Sequence, residues 1–216
     1  LSGAAQVENV IIIGLPDQGA VNCAKPTYHI PNQGRMLANI KAGIAKMREI
    51  NPKSEYVLSV SSDIPAITSE MIDWLVNTAL ETRHDIYYGV VKKEVMEARY
   101  PGSNRTFTKL KDMEVCGADI HIAHHTMTTD PEHLAIWEVL IGKRKSPLKQ
   151  AATIGISTLV LLLLGRISLA DAVARASRKL GINARVLIWE HAEAAMDVDK
   201  PHQLELLRAD MEKTTV

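Results

Sequence analysis

Tyr56 to Glu70 reads YVLSVSSDIPAITSE. The residues Tyr56 to Val60 favour a strand, and the run ends in two serines and a lone carboxylate, Asp63. Pro65 then stops the strand before a helix that Thr68 or Ser69 caps, with Met71, Ile72, Leu75 and Leu80 on its apolar side. In open α/β sheets ligands gather outside the carboxyl ends of the strands, so an acid in this position faces a crevice. An aspartate there also serves as a turn residue or a helix cap, and the local sequence leaves these readings side by side.

The pattern alternates outward from this unit. Upstream, Val10-Ile11-Ile12-Ile13 before Gly14 is a β-branched run expected to form an inner parallel strand. A loop rich in Gly, Pro and Asn follows, and then Met36, Leu37, Ile40, Ile44 and Met47 recur at helical spacing, which predicts a helix from about Arg35 to Ile50. Downstream, 85–91 (DIYYGVV) predicts a third strand, and 106–110 with 119–123 an antiparallel pair. Further helices are expected around 131–141, over the apolar run 151–164 as one buried helix, and from Ser168 to a C-cap at Gly181. Arg185 to Trp189 predicts the last strand, and Pro201 opens the closing helix. The alternation predicts a three-layer α/β/α fold with a mainly parallel mixed sheet, residues 1–216 forming one domain with an inserted lobe over 92–165.

Composition narrows the partners. The 216 residues are 46% hydrophobic, and 25 basic residues balance 25 acidic ones, with no run of like charge longer than Lys143-Arg144-Lys145. No broad phosphate-backbone footprint is present, which argues against nucleic acid. The run 151–165 is too short to span a bilayer. Cys23 and Cys116 have no paired spacing, which predicts a reducing cytoplasm. Both are read as ordinary small residues, and the leucines at 158–164 as core or as a homodimer contact.

A second acidic tip lies in AMDVDKPHQLELL, where Asp197 and Asp199, two apart in extended chain, share a face. Carboxylates at two strand ends can share one cation, and Mg²⁺ takes one or two protein carboxylates while phosphate oxygens and waters fill its remaining positions. Helix capping is the other reading of Asp199. The imidazoles of His121, His124 and His125 match no zinc spacing and are expected to face solvent at a strand end. Arg105, Lys109 and Lys111 form either a solvated strand face or a contact for an anionic acceptor.

The strand-SSDIPAIT-helix unit, PNQGRMLANIKAGI before it and DVDKPHQLELL at the end together resemble the MobA-like nucleotidyltransferase family. The resemblance implies a GT-A-type, nucleotide-diphospho-sugar transferase-like fold. It also implies transfer of a nucleoside monophosphate from an NTP, CTP or GTP foremost, to a phosphorylated or cofactor-type acceptor such as a molybdopterin, with release of pyrophosphate and with Mg²⁺. It makes Asp63 the first metal ligand and Asp199, with Asp197 beside it, the second. Gly34, Asn39 and Ser62 become nucleotide-binding residues. The family's opening strand and glycine-rich L-A-G-G-x-x-x-R-M-G-x-x-K loop have no counterpart here, and the expectation is that they precede Leu1 in the natural protein. Pro201-His202-Gln203 stands where many relatives have Pro-Glu-Asp. A nucleotide-sugar glycosyltransferase of the same fold and a nucleotide-binding module without turnover are the alternatives.

Overall fold

The structure, a computed structural model, describes residues 1–15, 21–142 and 146–214. In chain order the strands are β1 (Val10–Ile13), β2 (Thr27–Ile30), β3 (Tyr56–Val60), β4 (Ile86–Lys92), β5 (Thr108–Lys109), β6 (Glu114–His124) and β7 (Ala184–Trp189). The helices are α1 (Met36–Ile50), α2 (Ser69–Leu80), α3 (Lys93–Arg99), α4 (Thr126–Thr129), α5 (Pro131–Gly142), α6 (Pro147–Ile154), α7 (Ile156–Leu163), α8 (Leu169–Leu180) and α9 (Pro201–Thr214). A five-stranded sheet has the order β3-β6-β4-β7, with β5 along β6, and β1 pairs with β2 apart from it.

Strand direction decides where the loops emerge. β4 and β7 run parallel, Tyr88 opposite Val186 and Val91 opposite Trp189. β6 runs against its neighbours: Ser61 N–H donates to the Asp119 carbonyl at 3.0 Å, while His125 N–H donates to the Glu55 carbonyl at 2.9 Å. Similarly, His124 N–H meets the Asp85 carbonyl, and Gly89 lies beside Ala118 and Ile120. Hence β3, β4 and β7 point one way and β6 the other, a mixed α/β sheet of the expected class.

The chain forms two compact units, one of Leu1–Ser59, Thr68–Asp85 and Ile122–Arg144, the other of Val60–Ile67, Ile86–His121 and Lys145–Val216. In the first, α1 lies on β1 so closely that a Cβ on Gly43 would sit 3.2 Å from Ile13 Cδ1. Helix α2 buries Ile72, Leu75 and Ala79, and Thr68 caps it by accepting the Met71 N–H at 3.3 Å. In the second unit, Val90, Leu110, Val115 and Ile167 form a core against which Leu161, Leu162, Leu169 and Ala172 pack. Ser168 and the αL glycine Gly181 bound α8.

The structure corrects several expectations. The run 151–164 is two helices and not one buried helix: Gly155 breaks it at φ 156° and ψ 151°, a backbone region open essentially to glycine. Part of its apolar surface is open, with Ile156 78% and Leu163 63% exposed, while Leu161 and Leu162 pack on the core. β1 pairs with β2, a strand within the stretch expected to be a loop, and among the described residues the two form a sheet of their own rather than an inner strand of the larger one. The antiparallel pair joins Thr108 to Val115 and Lys109 to Glu114, so β5 meets the start of β6 and not 119–123. Helix α3 was not anticipated. The Lys143-Arg144-Lys145 cluster and residues 16–20 of the loop after Leu15 lie outside the described residues.

Candidate active site

Asp63 stands three residues beyond β3, and Asp197 and Asp199 follow β7 by way of a 3₁₀ turn over Ala192–Ala195. Because β3 and β7 point the same way, both acidic tips leave the sheet at one edge. The Val198 N–H donates to the Asp63 carbonyl at 3.0 Å, which ties the two loops together. Each of Asp63, Asp197 and Asp199 offers one carboxylate oxygen, and these oxygens lie within 4.8 Å of one another. Asp197 is buried, Asp63 half-buried and Asp199 exposed, a gradient from core to solvent.

The start of α9 sets the last of these acids. Gln203, 3% exposed, accepts from the Asp199 N–H at 3.1 Å and the Lys200 N–H at 2.9 Å through its Oε1. Its amide donates to the Ser103 carbonyl at 3.3 Å. The side chain reaches back to orphan N–H groups at the helix start and so fixes the backbone of Asp199.

Arg105 holds the inner side of the cluster. Its Nη1 donates to Asp197 Oδ1, and its Nη2 reaches the Gly117 carbonyl at 3.2 Å and Asp119 Oδ2 at 3.3 Å. Burial opposes the Arg105 charge, but the carboxylates of Asp197 and Asp119 more than offset this and hold its pKa above the usual value. Arg105 therefore serves neither a solvated strand face nor, in this arrangement, an incoming anion. Asp119 is not among the site residues the sequence predicts. Burial lifts its carboxyl to about 6, with Arg105 pulling down and the charges of Asp197 and Asp63 pushing up. The signal for Asp119 lay in the alternation of β6, where 117, 119 and 121 share one phase and the buried Cys116, Ala118, Ile120 and Ile122 the other.

Two aspartates, Asp197 and Asp119, thus engage one guanidinium, and Asp63 and Asp199 gather on Asp197. Among the described side chains, Asp63 Oδ1 is buried without a hydrogen-bond partner, and a buried carboxylate oxygen normally has one. An all-oxygen donor set with an orphaned buried oxygen fits a hard divalent cation such as Mg²⁺, which would be held by Asp63 and Asp199, with Asp197 already oriented by Arg105. A groove of about 610 Å³ between α8 and β7 contains none of these residues.

Ser62 is exposed beside Asp63 in the same unit. Gly34 and Asn39 belong to the other unit, where they shape the loop before α1. Gly34, at φ 78°, donates to Asn32 Oδ1 at 2.8 Å, while Asn39 accepts the Gln33 N–H at 2.7 Å and donates to Asn32 at 3.1 Å. His121 does not face solvent freely: its ring stacks on Tyr88 with centroids 4.5 Å apart, and burial lowers its pKa to about 4. His124 and His125 sit ring to ring at 4.6 Å. Cys116 is buried and Cys23 partly so, each a free thiol.

Comparison with solved structures gives the fold a context. The chain is similar to a hypothetical transferase structure from Thermus thermophilus, at 29% identity over 90% of this chain and 78% of that one, with a TM-score of 0.75. It is also similar to 4-diphosphocytidyl-2C-methyl-D-erythritol synthase from Anaerococcus prevotii, at 10% identity over 99% of this chain and 82% of the other, with a TM-score of 0.55. The second likeness is one of fold alone. No family model matches the chain, and no curated protein does. No helix among the described residues is long and apolar enough to cross a membrane.

Proposed function

We propose that the protein is a divalent-metal-dependent nucleotidyltransferase, moving a nucleoside monophosphate from an NTP to a small-molecule acceptor with release of pyrophosphate. The convergence of Asp63, Asp197 and Asp199 carries the reading. The transferase fold agrees with it. In-line attack on an α-phosphate needs no side-chain nucleophile, only positioning and stabilisation of charge on phosphate oxygens. Magnesium, when bound, supplies that stabilisation.

The chain's own residues do the rest. Asp63 and Asp199 are the direct ligands, since Asp63 Oδ1 lacks another partner and Asp199 is open to solvent. Asp197 is held by Arg105 and orients the cluster from behind. Gln203 fixes the backbone at Asp199. Gly34, Asn39 and Ser62 are assigned to the nucleotide, with CTP or GTP as donor and a MobA-like cofactor acceptor as the finer form of the proposal.

The test offers each of the common NTPs with Mg²⁺ and a panel of phosphorylated acceptors and scores pyrophosphate. Asp63→Ala is expected to abolish release while the far-UV spectrum stays native. Full turnover in that variant would overturn the reading.

A further inference from the structure

The outward phase of β6 carries Gly117, Asp119 and His121, and Tyr88 of β4 lies across from them on the same face. That face is closed at one end, where Val90 and Val115 are buried under Leu110 and Ile167. It opens at Tyr88, which is 41% exposed although Ile86 and Val90, in the same phase, are buried. An aromatic left open between two buried neighbours lies on a floor that the described residues leave uncovered.

The polar groups on this floor are set by geometry. Tyr88 and His121 stack nearly parallel, 10° apart, which favours this orientation of the phenol ring. A Cβ on Gly117 would lie 2.8 Å from Tyr88 Oη, so only glycine there leaves the hydroxyl its seat. The Gly89 N–H can only donate, and it meets His121 Nδ1 at 3.3 Å. The neutral ring therefore carries its hydrogen on Nε2, leaving that N–H as a donor. Asp119 adds an acceptor next to it in phase, and the Tyr88 hydroxyl is both donor and acceptor. The cation here, Arg105, is already engaged with Asp197, Asp119 and the Gly117 carbonyl.

We infer that Tyr88, His121 and Asp119 form the seat of the acceptor and that the group they take is neutral and hydroxylated, the vicinal diol of a sugar or polyol, and not a phosphate. Donors and acceptors alternate around an apolar ring face, which matches hydroxyls projecting from a C–H surface. A phosphate in the same place would meet the Asp119 carboxylate with the guanidinium already committed. The word acceptor rests on the transferase reading; the affinity for a diol does not.

The test is saturation-transfer NMR on the protein without nucleotide, with erythritol, xylitol and myo-inositol as probes and inorganic phosphate as the contrasting one. Wild type is expected to show saturable polyol signals. Tyr88→Ala and Gly117→Ala should weaken them by at least ~10-fold, about one decade in Kd. Tyr88→Phe should lose the hydroxyl's share alone, and Mn²⁺ binding, read by water relaxation, should stay at the wild-type level in all three. Absence of polyol signal in wild type, retention of full signal in Tyr88→Ala, or saturation by phosphate instead overturns the inference. A protein that binds polyols but releases no pyrophosphate with any acceptor retires the transferase reading alone. A transferase whose KM for a polyol phosphate is untouched by Tyr88→Ala retires the seat alone.

Discussion

The backbone N–H of Val198 donates to the carbonyl of Asp63 at 3.0 Å, joining residues that stand far apart in the chain. This bond sets the flanking Asp197 and Asp199 against Asp63 before any ion is present. The Arg105 guanidinium, paired with Asp197 and Asp119, offsets part of the like charge so gathered, and the consequences are measurable.

Arg105 compensates a buried carboxylate, since Asp197 keeps only 13% of its side chain exposed. Arg105→Ala is expected to destabilise the metal-free protein by about 3–5 kcal/mol, the range for removing one partner of a buried pair. Urea unfolding in EDTA measures this. Mn²⁺ should restore part of the loss in the variant, because a cation at the cluster supplies the missing charge.

Asp119 predicts a pH dependence. Its folded-state pKa of about 6 lies above the ordinary 3.8, so the folded protein binds this proton more tightly than the unfolded chain does. Its contribution to stability is whole below about pH 4 and is lost as pH rises through about 6. Asp119→Asn should therefore melt higher than wild type at pH 7.5 in EDTA, with the gap closing toward pH 5. A gap that is constant with pH contradicts the burial of this carboxyl.

Asp63 and Asp199 differ in surroundings and should differ in effect. Asp199 is exposed, and Asp199→Asn is expected to raise metal-free stability slightly by removing a like charge. Asp63→Asn leaves a buried amide in place of the orphaned carboxylate. Both should weaken Mn²⁺ affinity by more than the ~10–100-fold that losing a partner behind a ligand costs. Calorimetric titration with Mn²⁺ checks both.

Gly89 tests the packing beneath the site. A Cβ there would lie 2.6 Å from Trp189 Nε1, 2.9 Å from Ala118 Cβ and 3.0 Å from the Ile120 carbonyl. Since the backbone of β6 cannot yield cheaply, Gly89→Ala is expected to cost at least about 1–3 kcal/mol, the overpacking range. A melting curve like that of wild type would contradict the close approach of β4 to Trp189 and β6.

Much of the scaffold was legible because its signals are local. Apolar spacing, β-branched runs and helix-boundary residues located β1, α1, β3, α2, β4, α5, α8, β7 and α9, and the caps at Thr68, Ser168 and Gly181 stand where local residue chemistry placed them. The misses have a shared cause. β2 carries the mixed sequence TYHI and gains its identity only by pairing with β1. The apolar run after Gln150 contains one glycine in an ε conformation, and burial cannot be read from hydrophobicity where no partner element is specified. The β5–β6 register depends on a turn, and one strand shifted along another changes every partner.

For the site, the amino-acid sequence determined which acids stand at strand ends, because strand and turn propensities act over a few residues. Only the tertiary structure decided that Asp63 meets Asp197 and Asp199, that Arg105 is committed to Asp197 and Asp119, and that the carboxyl of Asp119 is lifted. Those are effects of distance and desolvation between segments remote in the chain. They follow from β3 and β7 running in one direction with β6 reversed between β3 and β4, a fact of sheet topology that no stretch of sequence contains.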